Sequence, residues 1–155
     1  MAFEPDIVVT SPTEPRTQLV IEAKLQTRDR NRGEVARPLK QYMLRMRSPL
    51  GLLVTRDLVS IFRDTFQGDS EESIKEVGTF PTSTVPALQA FASGASDDPI
   101  AFEDAIQGWL VELRSQLVLG NAGRIDPMVA DHVLPALAMG EIRAGRPRSV
   151  RYASR

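Results

Sequence analysis

The stretch QLVIEAKLQTRDRNRGEVARPLKQYMLRMRSPLGLLVT (18–55) contains two short apolar segments with a polar loop and an amphipathic segment between them. Its first seven residues are rich in branched aliphatic side chains and predict a strand. Residues 51–55 form an apolar run without alternation, which is typical of a strand covered on both faces. Apolar residues within 35–46 recur at helical spacing. The order strand, helix, strand predicts a parallel strand pair and therefore an α/β fold.

Pro38 constrains the start of this helix. Proline is tolerated best in a first helical turn, so the regular helix is predicted to begin near Arg37. The polar segment 25–34 is then a loop, and the sequence SPLG (48–51) ends the helix.

The flanking segments extend the sheet. DIVVT (6–10) is separated from the first strand by turn-forming residues and predicts an antiparallel partner for it. Segments 58–66 and 73–80 flank the loop QGDSEE and predict a hairpin. The sheet is therefore predicted to be mixed, with both parallel and antiparallel pairs.

The second half of the chain is predicted to be helical. Asp98 and Asp126 are each followed by proline, which combines an N-cap with a residue suited to the first helical position. Pro135 lies inside the second of these helices and should kink or split it. The apolar stripe of the first consists of Phe102, Ala105, Ile106, Trp109, Leu110, Leu113 and Leu117. The expected architecture is a mixed central sheet flanked by helices, with additional C-terminal helices.

Length and composition are those of an ordinary globular protein. The chain has 155 residues, of which 42% are hydrophobic and 25% charged, and this suits one domain over 1–142 followed by an arginine-rich tail over 143–155. The absence of cysteine excludes disulfides and thiolate metal sites. No apolar run approaches the roughly 18 residues of a membrane helix, and MAFEPDIVV lacks the pattern of a signal peptide. A cytoplasmic protein without membrane contact is expected.

Positive charge is concentrated in parts of a chain whose formal net charge is −1. Segment 24–47 contains eight Lys and Arg residues against two acidic residues, and the predicted tail contains five Arg and no acid. A local positive potential of this kind attracts phosphate, so nucleic acid is a candidate partner. A solvated arginine loop is the simpler alternative.

Three charged side chains lie in or beside the first two predicted strands. Side chains alternate along a strand, so Glu22 and Lys24 share a face, about 7 Å apart at their Cα atoms. If the two strands pair, Asp6 reaches the same face. Two carboxylates and the Ala23 carbonyl are hard oxygen ligands of the kind that Mg²⁺ prefers. Lys24 could orient an attacking water or stabilise developing charge. An exposed ion pair between Glu22 and Lys24 on an edge strand is the alternative.

The motifs PD (5–6) and EAK (22–24), with 15 residues between the aspartate and the glutamate, resemble the PD-(D/E)xK nuclease superfamily. The sequence LKQYMLRMRSPLGLLVTRDLVSIFRD that follows is similar to the N-terminal nuclease domains of type I restriction subunits. The resemblance covers residues 5–64.

This resemblance implies a restriction-endonuclease-like fold and a nuclease that hydrolyses phosphodiester bonds in DNA with Mg²⁺ or Mn²⁺. Asp6 and Glu22 would be metal ligands together with the Ala23 carbonyl. Lys24 would be the catalytic lysine, and Gln41 on the following helix would help to shape the site. The alternative is a catalytically inactive nuclease fold that serves as a binding or assembly module.

The resemblance also implies a helix and a strand ahead of the PD motif, whereas only four residues precede Pro5. A C-terminal helix or a dimer mate could supply that helix, or it could be lost together with activity. We expect a homodimer in which Trp109 and its neighbours cover the surface that the helix would have covered.

Overall fold

The computed structural model describes residues 5–11, 16–26, 32–120, 125–138 and 140–144. A six-stranded mixed sheet lies at the centre of these ranges, with helices on both of its faces. The predicted α/β class is therefore confirmed.

The predicted strand–helix–strand unit is also confirmed. Strands β1 (Ile7–Thr10) and β2 (Thr17–Lys24) pair antiparallel. Helix α1 (Arg32–Met46) then connects β2 to its parallel neighbour β3 (Leu50–Thr55). Every residue of β3 is buried, which explains why this segment is apolar without alternation.

Strands β4 (Leu58–Asp64) and β5 (Ile74–Pro81) form the predicted hairpin beside β3, and their pairing is antiparallel. Strand β6 (Glu141–Ala144) pairs antiparallel with β1 at the other edge. The spatial order of the strands is β5-β4-β3-β2-β1-β6, so β2 and β3 occupy the middle of the sheet.

The boundary of the predicted tail differs from the structure. Arg143 and Ala144 belong to β6, where Arg143 lies opposite Val8. The four residues of β6 alternate in exposure and are held at the sheet edge by pairing with β1. An arginine-rich sequence gives no sign of this pairing. The remainder of the predicted tail, 145–155, lies outside the described residues.

Helix α1 begins earlier than predicted. It includes Arg32, and Pro38 lies inside it rather than in its first turn. The first turn is fixed to the sheet because the Arg32 guanidinium donates to the Thr55 hydroxyl at 2.9 Å and to the Ser60 hydroxyl at 2.6 Å. These tertiary hydrogen bonds outweigh the loss of one helical hydrogen bond at the proline.

Four helices follow β5, and they are α2 (Gln89–Ala92), α3 (Pro99–Val118), α4 (Pro127–His132) and α5 (Leu134–Ala138). As predicted, Asp98 and Asp126 are N-caps whose side chains accept the backbone N–H two residues later. The break between α4 and α5 falls next to Pro135, so the predicted split is confirmed. No helix of the described ranges is both long and apolar enough to cross a bilayer.

The sheet separates two apolar layers. Helix α1 covers one face through Ala36, Leu39, Tyr42 and Met43, which pack with Val8, Val20, Leu53 and Phe62. Helices α2 to α5 cover the other face, where Ile7, Ile21, Leu52 and Ile61 pack with residues such as Phe102, Ile106 and Leu110. Alternation along the strands therefore assigns each side chain of the sheet to one helical layer.

Trp109 belongs to the second layer. Its side chain is only 7% exposed and its ring meets the edge of Phe80 at a centroid distance of 6.3 Å. Trp109 and its neighbours therefore cover the sheet of their own chain, and this burial does not test the predicted homodimer. The homodimer itself stays a prediction, which light scattering at tens of micromolar would test.

Candidate active site

The register of the first strand pair places the two predicted carboxylates together. Ile7 lies opposite Ile21, so Asp6 lies opposite Glu22 at the end of the β1–β2 pair. The Asp6 N–H donates to the Ile21 carbonyl at 3.0 Å. The Ala23 N–H in turn donates to Oδ2 of Asp6 at 2.7 Å, which fixes the aspartate side chain against β2. Although 15 residues lie between them in the sequence, Asp6 and Glu22 are thus direct cross-strand neighbours.

Glu22 and Lys24 share a face of β2, as predicted. The Lys24 Nζ atom lies 3.7 Å from Oε2 of Glu22, and the lysine side chain is 32% exposed. Strand β2 lies inside the sheet and Glu22 is 1% exposed. The alternative of an exposed pair on an edge strand is therefore excluded.

The surroundings of Glu22 disfavour the ionised form of its carboxyl group. The pKa of Glu22 is raised from 4.5 to about 8, first by burial and next by the negative charge of Asp6. Lys24 and the backbone N–H of Asp6 act in the opposite direction but do not compensate. Glu22 therefore holds its proton near neutral pH unless another positive charge reaches the site.

One oxygen of this carboxyl group has no partner. Oε1 of Glu22 is buried and makes no hydrogen bond among the described residues. A buried polar atom without a partner costs about 1–3 kcal/mol, so its position calls for a further ligand. A cation between Asp6 and Glu22 would use this oxygen and remove the repulsion between the two carboxylates.

The backbone places a third oxygen on the same side. The N–H and C=O groups of one strand residue point to the same neighbour, because a hydrogen-bonded pair exchanges both bonds. Since the Ala23 N–H points at Asp6, the Ala23 carbonyl is directed to that side as well. No group of three or more His, Cys, Asp or Glu side chains suited to a metal occurs in the described ranges. The candidate cation site therefore consists of two carboxylates and one carbonyl.

The carboxylates of Asp6 and Glu22 do not lie in an open cleft. Asp6 is 7% exposed and Glu22 almost fully covered, whereas Lys24 reaches the surface beside them. A solvent-borne phosphate would therefore meet the lysine before the carboxylates.

The structure does not bring Gln41 to the site. Helix α1 buries Ala36, Leu39, Tyr42 and Met43, and Gln41 is exposed on the opposite side of the helix. It also lies about 13 Å along the axis from the first residue of α1, at a rise of 1.5 Å per residue. The prediction for Gln41 is wrong because helical phase turns this residue away from the sheet.

Two residues have contacts near the site that the sequence did not predict. Glu103 on α3 is fully buried, and its charge contributes to the raised pKa of Glu22. Glu103 occurs three residues before Ile106 and seven before Leu110, so helical spacing places it on the same side of α3 as the apolar stripe. This spacing could have predicted its burial. Arg32 was counted with the phosphate-attracting bases, but its guanidinium is held by hydroxyl and carbonyl groups of β3 and β4.

No protein-family model, no curated protein and no solved structure matches this chain. The geometry of the site therefore carries the functional argument.

Proposed function

We propose that this protein is a metal-dependent nuclease that hydrolyses phosphodiester bonds in DNA, with a restriction-endonuclease-like core. The observation that carries the proposal is the arrangement of Asp6, Glu22 and Lys24. Two buried carboxylates lie opposite one another on paired strands, and an ammonium group lies 3.7 Å from one of them. Such a set combines a cation site with a group that contacts phosphate.

The residues present fit Mg²⁺ or Mn²⁺. The unpartnered Oε1 of Glu22, the repulsion between Glu22 and Asp6, and the direction of the Ala23 carbonyl all favour a hard cation at this point. When bound, such an ion lowers the pKa of water and neutralises charge that develops on a phosphate.

The protein's own groups divide the remaining work. Asp6 is oriented by the Ala23 N–H, which donates to its Oδ2 atom. Glu22 changes its proton content when positive charge arrives, since its pKa is already raised. Lys24 is partly exposed and can donate to a phosphate oxygen or hold an attacking water.

The surrounding fold supports the assignment. The acidic pair lies at the end of a mixed sheet, on the two strands that carry the PD and EAK motifs. Helix α3 covers the sheet from the C-terminal part of the chain and contributes the buried Glu103.

One observation favours the second candidate, a catalytically inactive nuclease fold that binds or assembles. Both carboxylates are nearly closed to solvent, and Glu22 retains a proton at neutral pH in the absence of a cation. A protein with this site can bind DNA through its basic residues without cleaving it.

A cleavage assay with matched lysine variants tests the proposal. Purified protein is incubated with supercoiled and linear DNA in Mg²⁺, in Mn²⁺ and in EDTA. Cleavage is expected only with metal, and Lys24→Ala should reduce its rate at least about 100-fold while DNA binding changes little. Lys75→Ala, which removes an exposed lysine from β5, is the control and should cleave like the wild type.

Thermal unfolding separates the two candidates from a misplaced site. Mg²⁺ should raise the melting temperature of the wild type, because an ion that binds only the folded state stabilises it, and Asp6→Asn should remove this shift. Binding of DNA without metal-dependent cleavage would favour the inactive module. A melting shift that survives in Asp6→Asn would place the metal elsewhere and contradict the nuclease site.

A further inference from the structure

One pocket of the molecule lies away from the candidate active site. It has a volume of about 460 Å³ and is lined by Arg16, Met46, Arg47 and Phe66. This size lies within the range of sites that hold small molecules. We refer to these four residues as the far-end pocket.

The far-end pocket lies at the opposite end of the sheet from Lys24. Arg16 immediately precedes β2, whereas Lys24 ends it. Lys24 lies eight positions after Arg16, which corresponds to about 26 Å at the usual rise of a strand. Arg47 follows the end of α1 and Phe66 follows the end of β4, so three chain segments converge on this edge.

Phe66 is exposed and backbone-strained. Its side chain is 62% exposed, and its φ angle is 55°, in the left-handed region that bulky residues rarely adopt. This conformation is enforced by a hydrogen bond from its N–H to Oδ1 of Asp64 at 2.8 Å. The same oxygen accepts the Ser73 hydroxyl at 2.9 Å, and the Thr65 N–H is bound to the Ser73 carbonyl. The turn therefore holds an aromatic ring out into solvent.

Arg47 repeats this feature at the end of α1. Its φ angle is 52°, at a helix terminus where glycine is the usual residue. Besides two glycines, Arg47 and Phe66 are the residues of the described ranges with positive φ, and both line the far-end pocket. Backbone strain of this kind costs about 1–3 kcal/mol per residue and collects at functional sites.

The charge of the far-end pocket is one-sided. Neither Arg16 nor Arg47 forms an ion pair among the described residues. Its lining among the described residues contains two guanidinium groups, an aromatic ring and a thioether, but no carboxylate. An aromatic face beside arginines is the combination that holds single-stranded nucleic acid, because bases stack on the ring and phosphates pair with the cations.

We propose that the far-end pocket binds single-stranded polynucleotide, with one base stacked on Phe66 and the adjacent phosphates held by Arg16 and Arg47. A duplex would not expose a base face to Phe66, so an unpaired segment is required. The inference rests on the proposed function for the choice of polymer, but it does not depend on cleavage.

The distance to Lys24 sets the length of the bound strand. A span of about 26 Å corresponds to roughly eight nucleotides at the 3.4 Å rise of stacked bases. Oligonucleotides shorter than this can occupy either end but not both, and affinity should increase once the chain is long enough to connect them.

The test measures the binding of fluorescently labelled single-stranded oligonucleotides by anisotropy, in EDTA, so that cleavage plays no part. Phe66→Asn keeps a residue that tolerates positive φ but removes the ring. It should weaken binding about 5- to 150-fold, the range given by one stacked base. Leu119→Asn, which alters another exposed apolar residue at 74% exposure, is the control and should bind like the wild type.

Arg47→Gly provides a second, independent test of the far-end pocket. It should lower the slope of log affinity against log salt by about 0.7, as expected for one lost phosphate contact. Its melting temperature should increase, because glycine adopts positive φ without strain. Lys75→Ala, which removes an exposed charge from β5 outside both the far-end pocket and the basic segment 24–47, is the control and should leave the salt slope unchanged.

The outcomes are distinguishable from those of the nuclease proposal. Binding weakened by Phe66→Asn in a protein that never cleaves would support the far-end pocket and contradict the nuclease. Unchanged affinity in both Phe66→Asn and Arg47→Gly would overturn the inference, even if metal-dependent cleavage is observed. An acidic peptide that competes as well as the oligonucleotide and is insensitive to Phe66→Asn would also overturn it.

Discussion

The two ends of the central sheet differ in where they place charged and strained residues: one end buries them and the other exposes them to solvent. At the end of β2, Asp6 and Glu22 bury two carboxylates side by side, and one carboxyl oxygen is left without a partner. At the start of β2, the far-end pocket exposes an aromatic ring and two arginines, and it stores strain in the backbone rather than in buried charge.

The difference indicates what each end can bind. At the buried pair of carboxyl groups, Glu22 holds a proton near neutral pH, and a small cation between the two side chains would take the place of that proton. An exposed ring beside two arginines that form no ion pair within the described ranges suits a large, flat, anionic partner. Under the two proposals, one end of the sheet would hold a metal ion and the other end would hold a polymer.

The largest expected effect concerns Glu22 and pH. Its pKa rises from 4.5 to about 8 on folding. Below pH 4.5 the group is protonated in both states; between the two values only the unfolded chain releases the proton, so the free energy of unfolding falls as pH rises. Above pH 8 this contribution no longer changes. Its full size is on the order of 4–5 kcal/mol.

Glu22→Gln removes this titration. The stability of the variant relative to the wild type should therefore increase as pH rises from about 4.5 to 8, as measured by urea unfolding at a series of pH values. Mg²⁺ should affect the wild type more at pH 8.5 than at pH 6, because the ion competes with the proton. A constant difference between variant and wild type across this range would show that Glu22 is not held in a raised-pKa state.

The next effect concerns Asp6. Asp6→Asn removes one carboxylate of the pair, and cleavage should fall at least about 100-fold. The same change should lower the pKa of Glu22, since the charge of Asp6 contributes to its elevation. A pH titration of Glu22 by NMR in the variant measures this directly. Cleavage that persists at the wild-type rate would contradict the role of Asp6.

Arg32 tests what holds α1 at the site end of the sheet. Arg32→Ala removes hydrogen bonds to the hydroxyl groups of Thr55 and Ser60 and should reduce the free energy of unfolding by about 2 kcal/mol. Arg32→Lys keeps the charge but not the forked geometry, so it should recover less than half of the loss. Full recovery by lysine would indicate that charge alone matters there.

Arg47 tests the strain at the other end. Arg47→Gly should raise the free energy of unfolding by about 1 kcal/mol, because the left-handed conformation is unfavourable for arginine and accessible to glycine. Chemical denaturation provides the measurement. A loss of stability would mean that the arginine side chain makes contacts that outweigh its backbone strain.

The smallest effect is expected at Gln41. Since this residue is exposed on the side of α1 turned away from the sheet, Gln41→Ala should change stability by less than about 0.5 kcal/mol and cleavage by less than about twofold. A large loss of cleavage with unchanged stability would restore the role that the family resemblance implies.

Much of the fold follows from local patterns in the sequence. The alternation in QLVIEAK assigns Glu22 and Lys24 to one face, and the register that brings Asp6 beside them needs only a short antiparallel connection. The caps at Asp98 and Asp126 and the break at Pro135 depend on residues within a few positions of one another. Interactions of this range are determined by backbone geometry, so the sequence by itself was sufficient.

Tertiary structure decided the features that depend on distant partners. The start of α1 depends on hydroxyl groups more than twenty residues away, and β6 forms because the edge of β1 accepts it. The direction of Gln41 follows from which helical face the sheet buries, and the charge of Glu103 reaches Glu22 only because α3 packs onto the sheet. Burial determines the pKa of Glu22 as well, and burial is a property of the packed chain rather than of any segment.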